Sequence, residues 1–352
     1  MITRSRIRHL RKSLLSAGAA VALAGGLLSA TSGTAQAASS LPCDIYASAG
    51  TPCVAAHSTV RALYAAYKGP LYQVKRASDG KTLNIRTLHP GGYANAAAQN
   101  AFCAGTSCII TEIYDQSPEH NNLTIEGPGQ RGGRDAGANA AALPVTVGGH
   151  HVYGVYVRAG VGYRDNSTKG VAAGGSPQGE YMVASGRHVN NQCCFDYGNA
   201  ETNSRDNGNG HMDAINFSTK CFFSPCWGSG PWVHADLENG LFAGANGSDT
   251  NNKGNASAFV TAMVKSNGKT TYAIKGGNAQ SGRLTTWYYG PLPRRGGYAP
   301  LHQEGAIVLG TGGDNSRRSI GSFFEGVMTS GYPTRAADNA VQANIVSVHY
   351  GK

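Results

Sequence analysis

Two short stretches of the chain hold acids in settings suited to chemistry. In Pro231-Trp232-Val233-His234-Ala235-Asp236-Leu237-Glu238-Asn239-Gly240, residues two apart share a face if the segment is a strand. Trp232, His234, Asp236 and Glu238 then fall on one side, and Val233, Ala235 and Leu237 on the other. The second side reads as ordinary core. The first sets an aromatic ring, an imidazole and two carboxylates in a row, where a plain exposed face usually carries Lys and Thr. An exposed polar strand face is the competing reading. The other stretch is Leu309-Gly310-Thr311-Gly312-Gly313-Asp314-Asn315-Ser316, where Asp314 stands among glycines that let backbone approach a ligand closely. An Asp in such a loop also serves simply as a turn former. A phosphate cradle is a weak reading, because no Lys-Ser/Thr follows and no clear helix begins there. Acids placed in these two ways are candidates for proton transfer or nucleophilic attack. His211 and Asp213, with His234, could instead hold a metal, although a loop histidine satisfied by its neighbours is the plainer reading.

The elements that must position these acids read mostly as strands. Residues 72–76 and 82–86 flank Asp79-Gly80, a pair suited to a tight hairpin turn. Further apolar or alternating runs occupy 109–114, 152–157, 181–184, 258–264, 271–274, 284–289, 306–309 and 323–328, punctuated by Gly, Asn, Asp and Pro. Two helices are predicted: 60–67, opened by Ser58 as N-cap, and 336–348, where Val341, Ile345 and Val348 recur at helical spacing. Many short strands without α/β alternation point to a β-sandwich or barrel. With 49 glycines and only 14% charged residues the composition excludes a helix bundle, and 41% hydrophobic content excludes a disordered chain. No repeat or linker divides the sequence.

The formal net charge of +10 hints at acidic partners, but half of it lies in one place. Arg4, Arg6, Arg8, Arg11 and Lys12 precede an apolar stretch at 14–28 and the small-residue site Ala35-Gln36-Ala37. This is the pattern of a secretory signal peptide over 1–37, with the mature domain expected over 38–352. The apolar run is short and Gly-rich against the roughly 20 residues of a membrane span. In an oxidising compartment the eight cysteines are expected as disulfides. Their close spacing, Cys43 with Cys53, Cys103 with Cys108, Cys193 with Cys194 and Cys221 with Cys226, suggests local pairing without proving it. The adjacent pair stands out, since bonding neighbours closes a strained ring, and the residues alone favour separate partners for each.

Five segments carry a family resemblance. Pro42-Cys43-Asp44-Ile45-Tyr46, Thr51-Pro52-Cys53-Val54-Ala55-Ala56-His57-Ser58-Thr59, Cys193-Cys194-Phe195-Asp196-Tyr197-Gly198-Asn199-Ala200-Glu201-Thr202, Asp236-Leu237-Glu238-Asn239 and Gly326-Val327-Met328-Thr329-Ser330-Gly331-Tyr332-Pro333 resemble the catalytic domain of glycoside hydrolase family 54. Those enzymes are secreted α-L-arabinofuranosidases. The resemblance implies an all-β, concanavalin-like sandwich of jelly-roll type with a few short helices, and a retaining mechanism. It implies Glu238 as nucleophile and Asp314 as general acid/base. Asp236, Asn239 and the Gly313 backbone would contact sugar hydroxyls, and Cys193 and Cys194 would form a vicinal disulfide against the arabinose, reversing the reading from residues alone. It also implies bridges Cys43 to Cys53 and Cys103 to Cys108; Cys221 and Cys226 are additional and are expected to staple a local loop.

Retaining cleavage needs two carboxyl groups roughly 5 to 5.5 Å apart, one ionised and one protonated. The negative field of Glu238 and Asp236 is expected to keep Asp314 protonated, so Arg317 and Arg318 should point into solvent. Gly240 stands where relatives can present a side chain to sugar, so that substrate contact is expected to be reduced. The family commonly carries a C-terminal arabinose-binding β-trefoil, and this sequence stops at Lys352, so weaker attachment to insoluble arabinoxylan is expected. The expected partner is a plant cell-wall polysaccharide or oligosaccharide, cut by a secreted monomer without metal or cofactor, with no role for nucleic acid or membrane. A non-catalytic sugar-binding sandwich is the alternative.

Overall fold

A computed structural model describes residues 40–294, 298 and 300–352; the expected signal peptide lies outside the described residues. Alternating and continuously apolar runs become two antiparallel sheets. One runs in the order Cys53–Ser58, Gly321–Ser330, Gln178–Ala184, Val260–Ser266, Thr271–Asn278, Thr285–Pro291, with Val155–Val157 also paired to Gly321–Ser330. The other has ten strands: Leu241–Phe242, Trp232–Asp236, Asp213–Ser218, Asp196–Ala200, Ala306–Leu309, Tyr163–Asp165, Leu123–Ile125, Cys108–Ile113, Pro70–Arg76 and Thr82–Arg86. Pro144–Val147 and His150–Tyr153 form a separate hairpin. Tyr181, Met263 and Val327 from the first sheet, with Tyr197, Ile215, Val233 and Leu309 from the second, belong to one continuous core. The fold is the β-sandwich expected, with three short helices among the described residues.

The predicted C-terminal helix spans Arg335–Ser347, capped by Thr334 Oγ1 accepting from Ala337 N, with Val341 and Ile345 buried. The helix predicted over 60–67 does not form. Ser58 Oγ does accept from Val60 N and Arg61 N, both at 3.1 Å, but this closes only a turn at a strand end. The amides beyond it are committed elsewhere: Ala62 N donates to Gly92 O, and Leu63 N to Gln116 Oε1. Long-range pairing consumes the donors that a helix would need. Helices Pro42–Ser48 and Ala96–Phe102 carry no long apolar repeat and were not foreseen. The run at 152–157 is divided at Gly154, where a Cβ would lie 2.8 Å from both Leu143 and Phe324.

Charges buried at the sandwich's edges are paired. Arg61 Nε and Nη2 meet the Glu325 carboxylate at 2.6 and 2.7 Å, and Tyr181 and Tyr350 donate their hydroxyls to the same group. All four side chains are almost completely buried. Removing one member leaves its partner charged and dry, which costs more than the pair contributes. Glu325→Ala is therefore expected to lower unfolding stability by about 3–5 kcal/mol, read from the urea midpoint.

Candidate active site

Four neighbouring strands of the larger sheet build one acidic floor. Ala214 pairs with both Asp236 and Gly198, and Asn216 with both Asp196 and His234, so Asp236 and Asp196 lie two rungs apart on this part of the sheet. Cys194 precedes the first of these strands, Glu201 follows it, and the loop after Leu309 brings in Gly313 and Asp314. Asp236, Cys194, Glu201, Gly313 and Asp314 line an open cleft of about 1060 Å³ with Cys193, Asp206, Met212, Phe222, Glu238 and Asn239.

The alternation expected along 232–238 holds as far as Asp236, and Val233, Ala235 and Leu237 do enter the core. Glu238 lies beyond the strand at φ +74°. That turn, rather than strand periodicity, aims it into the cleft. Its carboxylate accepts from three backbone amides, Asn207 N at 2.7 Å and Gly208 N at 2.8 Å on Oε1, and His211 N at 2.8 Å on Oε2. Loop 202–212 thus locks the group in place, and the Asp236 Oδ1 bond to Glu238 N, 3.0 Å, ties the two acids together.

Asp314 is held from the other side. Its Oδ1 accepts from Ser316 N and Oγ at 2.9 and 2.5 Å, and its main-chain carbonyl accepts from Arg131 N. Asn315, at φ +63°, donates through Nδ2 to Gly127 O and Gly133 O. Loop 127–134 therefore buttresses the acid loop. Arg317 and Arg318 make no bond to Asp314, but only Arg318 is free in solvent; Arg317 is half-buried and turns to Asp135 at 2.8 Å. The cation that does reach Asp314 is Arg131, with Nε 3.2 Å from Oδ2.

The floor carries more protons than ordinary acids would. Burial pushes Asp196 up to about 8 and raises Asp236 well above the usual carboxylate range; Asp196 beside it adds to the rise at Asp236. Glu201, fully buried with neither carboxyl oxygen hydrogen-bonded, is pushed up to about 9 by burial, with the Glu238 charge adding. Asp206 is pushed up to about 6 by burial and by its bonded neighbour Glu238. None of Asp196, Glu201 or Asp206 was singled out from sequence. Asp196 and Glu201 lie within the motif that begins at the paired cysteines, which was the available signal.

Cys193 and Cys194 are bonded to each other across a cis peptide, as the resemblance implies, and Cys194 Sγ lies 3.5 Å from Asp236 Oδ2. Bridges Cys43–Cys53, Cys103–Cys108 and Cys221–Cys226 also form. Asn239 lines the cleft while its Nδ2 donates to Gly208 O at 2.8 Å. Gly240 does not line it: a Cβ there would lie 2.5 Å from the Phe223 ring and 3.1 Å from Phe222. Its place at the cleft edge is taken by Phe222, 47% exposed within the Cys221–Cys226 loop. The metal triad is not assembled. His211 pairs with Glu304 at 2.9 Å, Asp213 accepts from Ser266 Oγ at 2.7 Å, and His234 is buried and pushed down to about 3 by that burial.

A β-sandwich with carboxyl groups gathered on the floor of an open cleft is an architecture of the glycoside hydrolase class. Residues 42–351 match the family described as alpha-L-arabinofuranosidase B, catalytic, and the chain belongs to that family. A probable alpha-L-arabinofuranosidase B of Aspergillus terreus is 56% identical over 327 residues, covering 90% of this chain and 64% of that protein. A GH54 α-L-arabinofuranosidase solved with a cyclic sulfate inhibitor superposes with TM-score 0.86 at 50% identity, covering 88% of this chain and 66% of the other. An arabinofuranosidase solved with arabinofuranosyl-α-1,2-xylobiose gives 0.85 at 49% identity with the same coverage. The chain thus spans somewhat less than two thirds of the length of these relatives.

The protonation of Glu201 has a measurable sign. A folded-state value raised above the unfolded one gives stability that is greatest in acid and is lost as pH rises from about 4.5 towards 9. Between pH 5 and 8 the unfolding free energy of the parent should fall relative to Glu201→Gln by about 1.4 kcal/mol per pH unit. Urea denaturation across that range checks it; parallel curves would show Glu201 ionised.

Proposed function

We propose that the chain is a secreted, exo-acting, retaining α-L-arabinofuranosidase that removes terminal α-L-arabinofuranosyl side chains from arabinoxylan, arabinan and their oligosaccharides. The observation that carries this reading is the convergence of Glu238 and Asp314 on one cleft, each fixed by a different loop. The family membership and the relative solved with arabinofuranosyl-α-1,2-xylobiose support the choice of sugar.

In the first step a Glu238 carboxylate oxygen forms a bond to the anomeric carbon while the bond to the leaving oxygen breaks, and Asp314 gives that oxygen its proton. In the second, Asp314 takes a proton from water as water displaces Glu238, restoring both acids and the original anomeric configuration. Three amide donors pin Glu238, so little orientational freedom is lost when it attacks. Asp236 offers a carboxyl group to a sugar hydroxyl, and the Cys193–Cys194 bond supplies an apolar wall beside it.

Glu238→Ala and Asp314→Ala are each expected to lower kcat on 4-nitrophenyl α-L-arabinofuranoside by about 10³-fold or more. Product followed by NMR should appear first as the α-anomer. Wild-type-like turnover in either variant would overturn the assignment, and a parent that binds arabinose but releases no 4-nitrophenol would be a lectin. N-terminal sequencing of exported protein should begin near Ala38; an uncleaved N-terminus would remove the signal-peptide reading.

A further inference from the structure

The cleft's wall differs in charge from its floor. Arg131, Arg158, Arg317 and Arg318 all line it. They come from three separated segments that the backbone draws together: Arg131 N donates to Asp314 O, Gly160 N to Arg317 O, and Arg318 N to Cys193 O. Two of the four contact a carboxyl group, Arg131 that of Asp314 and Arg317 that of Asp135. Arg158 and Arg318 are exposed and form no ion pair among the described residues. Two guanidinium groups are thus presented to whatever occupies this wall.

The side of the cleft follows from the proposed mechanism, on which this inference rests. Asp314 hands its proton to the leaving oxygen, so the departing saccharide lies along Asp314, which Arg131 contacts and which Arg317 and Arg318 follow in the same cleft-lining segment. A neutral pentose chain offers hydrogen-bond acceptors but no charge to match them. A carboxylate does, and guanidinium groups bind carboxylates through paired N–H donors. We propose that Arg158 and Arg318 form a leaving-group subsite for an acidic sugar, so that arabinofuranosyl groups are removed preferentially from chains bearing a uronosyl residue near the branch. The wall also steers such chains to the cleft, an effect that salt screens.

The test uses the full chain and three substrates: 4-nitrophenyl α-L-arabinofuranoside, an arabinofuranosyl xylo-oligosaccharide, and the same oligosaccharide with a glucuronosyl branch on the leaving-group side. At about 20 mM salt kcat/KM for the acidic oligosaccharide should exceed that for the neutral one by about three- to tenfold, as two exposed charge pairs can supply. The ratio should fall towards one by about 500 mM salt. Arg158→Gln/Arg318→Gln should bring it to one at low salt, and Arg158→Lys/Arg318→Lys should keep most of it. The arabinose-free glucuronosyl oligosaccharide should inhibit the parent more strongly than the double Gln variant. A ratio of one at low salt, or one unmoved by salt or by the Gln pair, overturns the inference while leaving arabinofuranosidase activity standing, and means that the arginines only offset the acidic floor. Failure to cleave any of the three substrates overturns the mechanism and the subsite together.

Discussion

The buried guanidinium of Arg164 holds the site's two halves together. It leaves the short strand Tyr163–Asp165, is almost wholly shielded from water, and meets Glu126 Oε1 at 3.1 Å. Nε donates to Asn166 Oδ1, and the other donors reach two main-chain carbonyls: Gly313 O at 2.8 Å, one residue before Asp314, and Glu201 O, just past the strand Asp196–Ala200. One cation therefore joins the acid loop to the acidic floor. Because guanidinium is planar with fixed donor directions, it sets angles as well as distances. A lysine could match the charge but could not fix several carbonyls in one plane. Gly313 completes the fit, since a Cβ there would lie 1.8 Å from Glu201 Oε2. The glycine that looked like a means of approaching sugar is equally required by the protein behind it.

Crowding carboxyl groups on one sheet face carries an electrostatic cost, and the floor meets it by retaining protons. Burial disfavours each charge, and neighbouring acids add to it, Asp196 at Asp236 and Glu238 at Glu201, so Asp196, Asp236 and Glu201 are all raised. Glu238 is distinguished from them by the three backbone amides that hold its carboxylate. Asp314 differs again, with a serine and an exposed arginine at its two oxygens. Residues of one chemical type thus acquire different surroundings over a few ångströms, which is what two-acid chemistry requires. The arginines that line the wall belong to the same balance: two contact acids and two do not.

The parts of this arrangement legible in sequence were local ones. Alternation placed Asp236 and the core residues Val233, Ala235 and Leu237 correctly, and Asp79-Gly80 marked its hairpin, with Gly80 at φ +71°. The C-terminal helix followed from its apolar spacing. What was not legible depends on partners far along the chain. Arg131 lies 183 residues from Asp314, and nothing in its neighbourhood indicates that contact. Ser58 has the chemistry of an N-cap, yet the helix fails because Gly92 and Gln116 take the backbone donors. The vicinal cysteines show the converse: the strained ring between neighbours favoured separate partners, and a motif extending over ten residues pointed to the bond that forms.

Gly240 shows how a local reading can invert a residue's meaning. Seen as a position without a side chain, it suggests a lost sugar contact. In the fold, Phe223 lies directly over it and over Gly247, where a Cβ would stand 2.4 Å from the ring. Phe223 in turn contacts buried Phe242 at 4.8 Å and Phe222 at 4.8 Å between centroids, so an aromatic chain runs from the core to the cleft edge. The Cys221–Cys226 bridge closes the loop that carries both phenylalanines. Any side chain at 240 would displace Phe223, and with it the support for Phe222. The missing side chain is thus the condition for an aromatic surface at the cleft, supplied from a stapled loop instead of from the acidic strand itself.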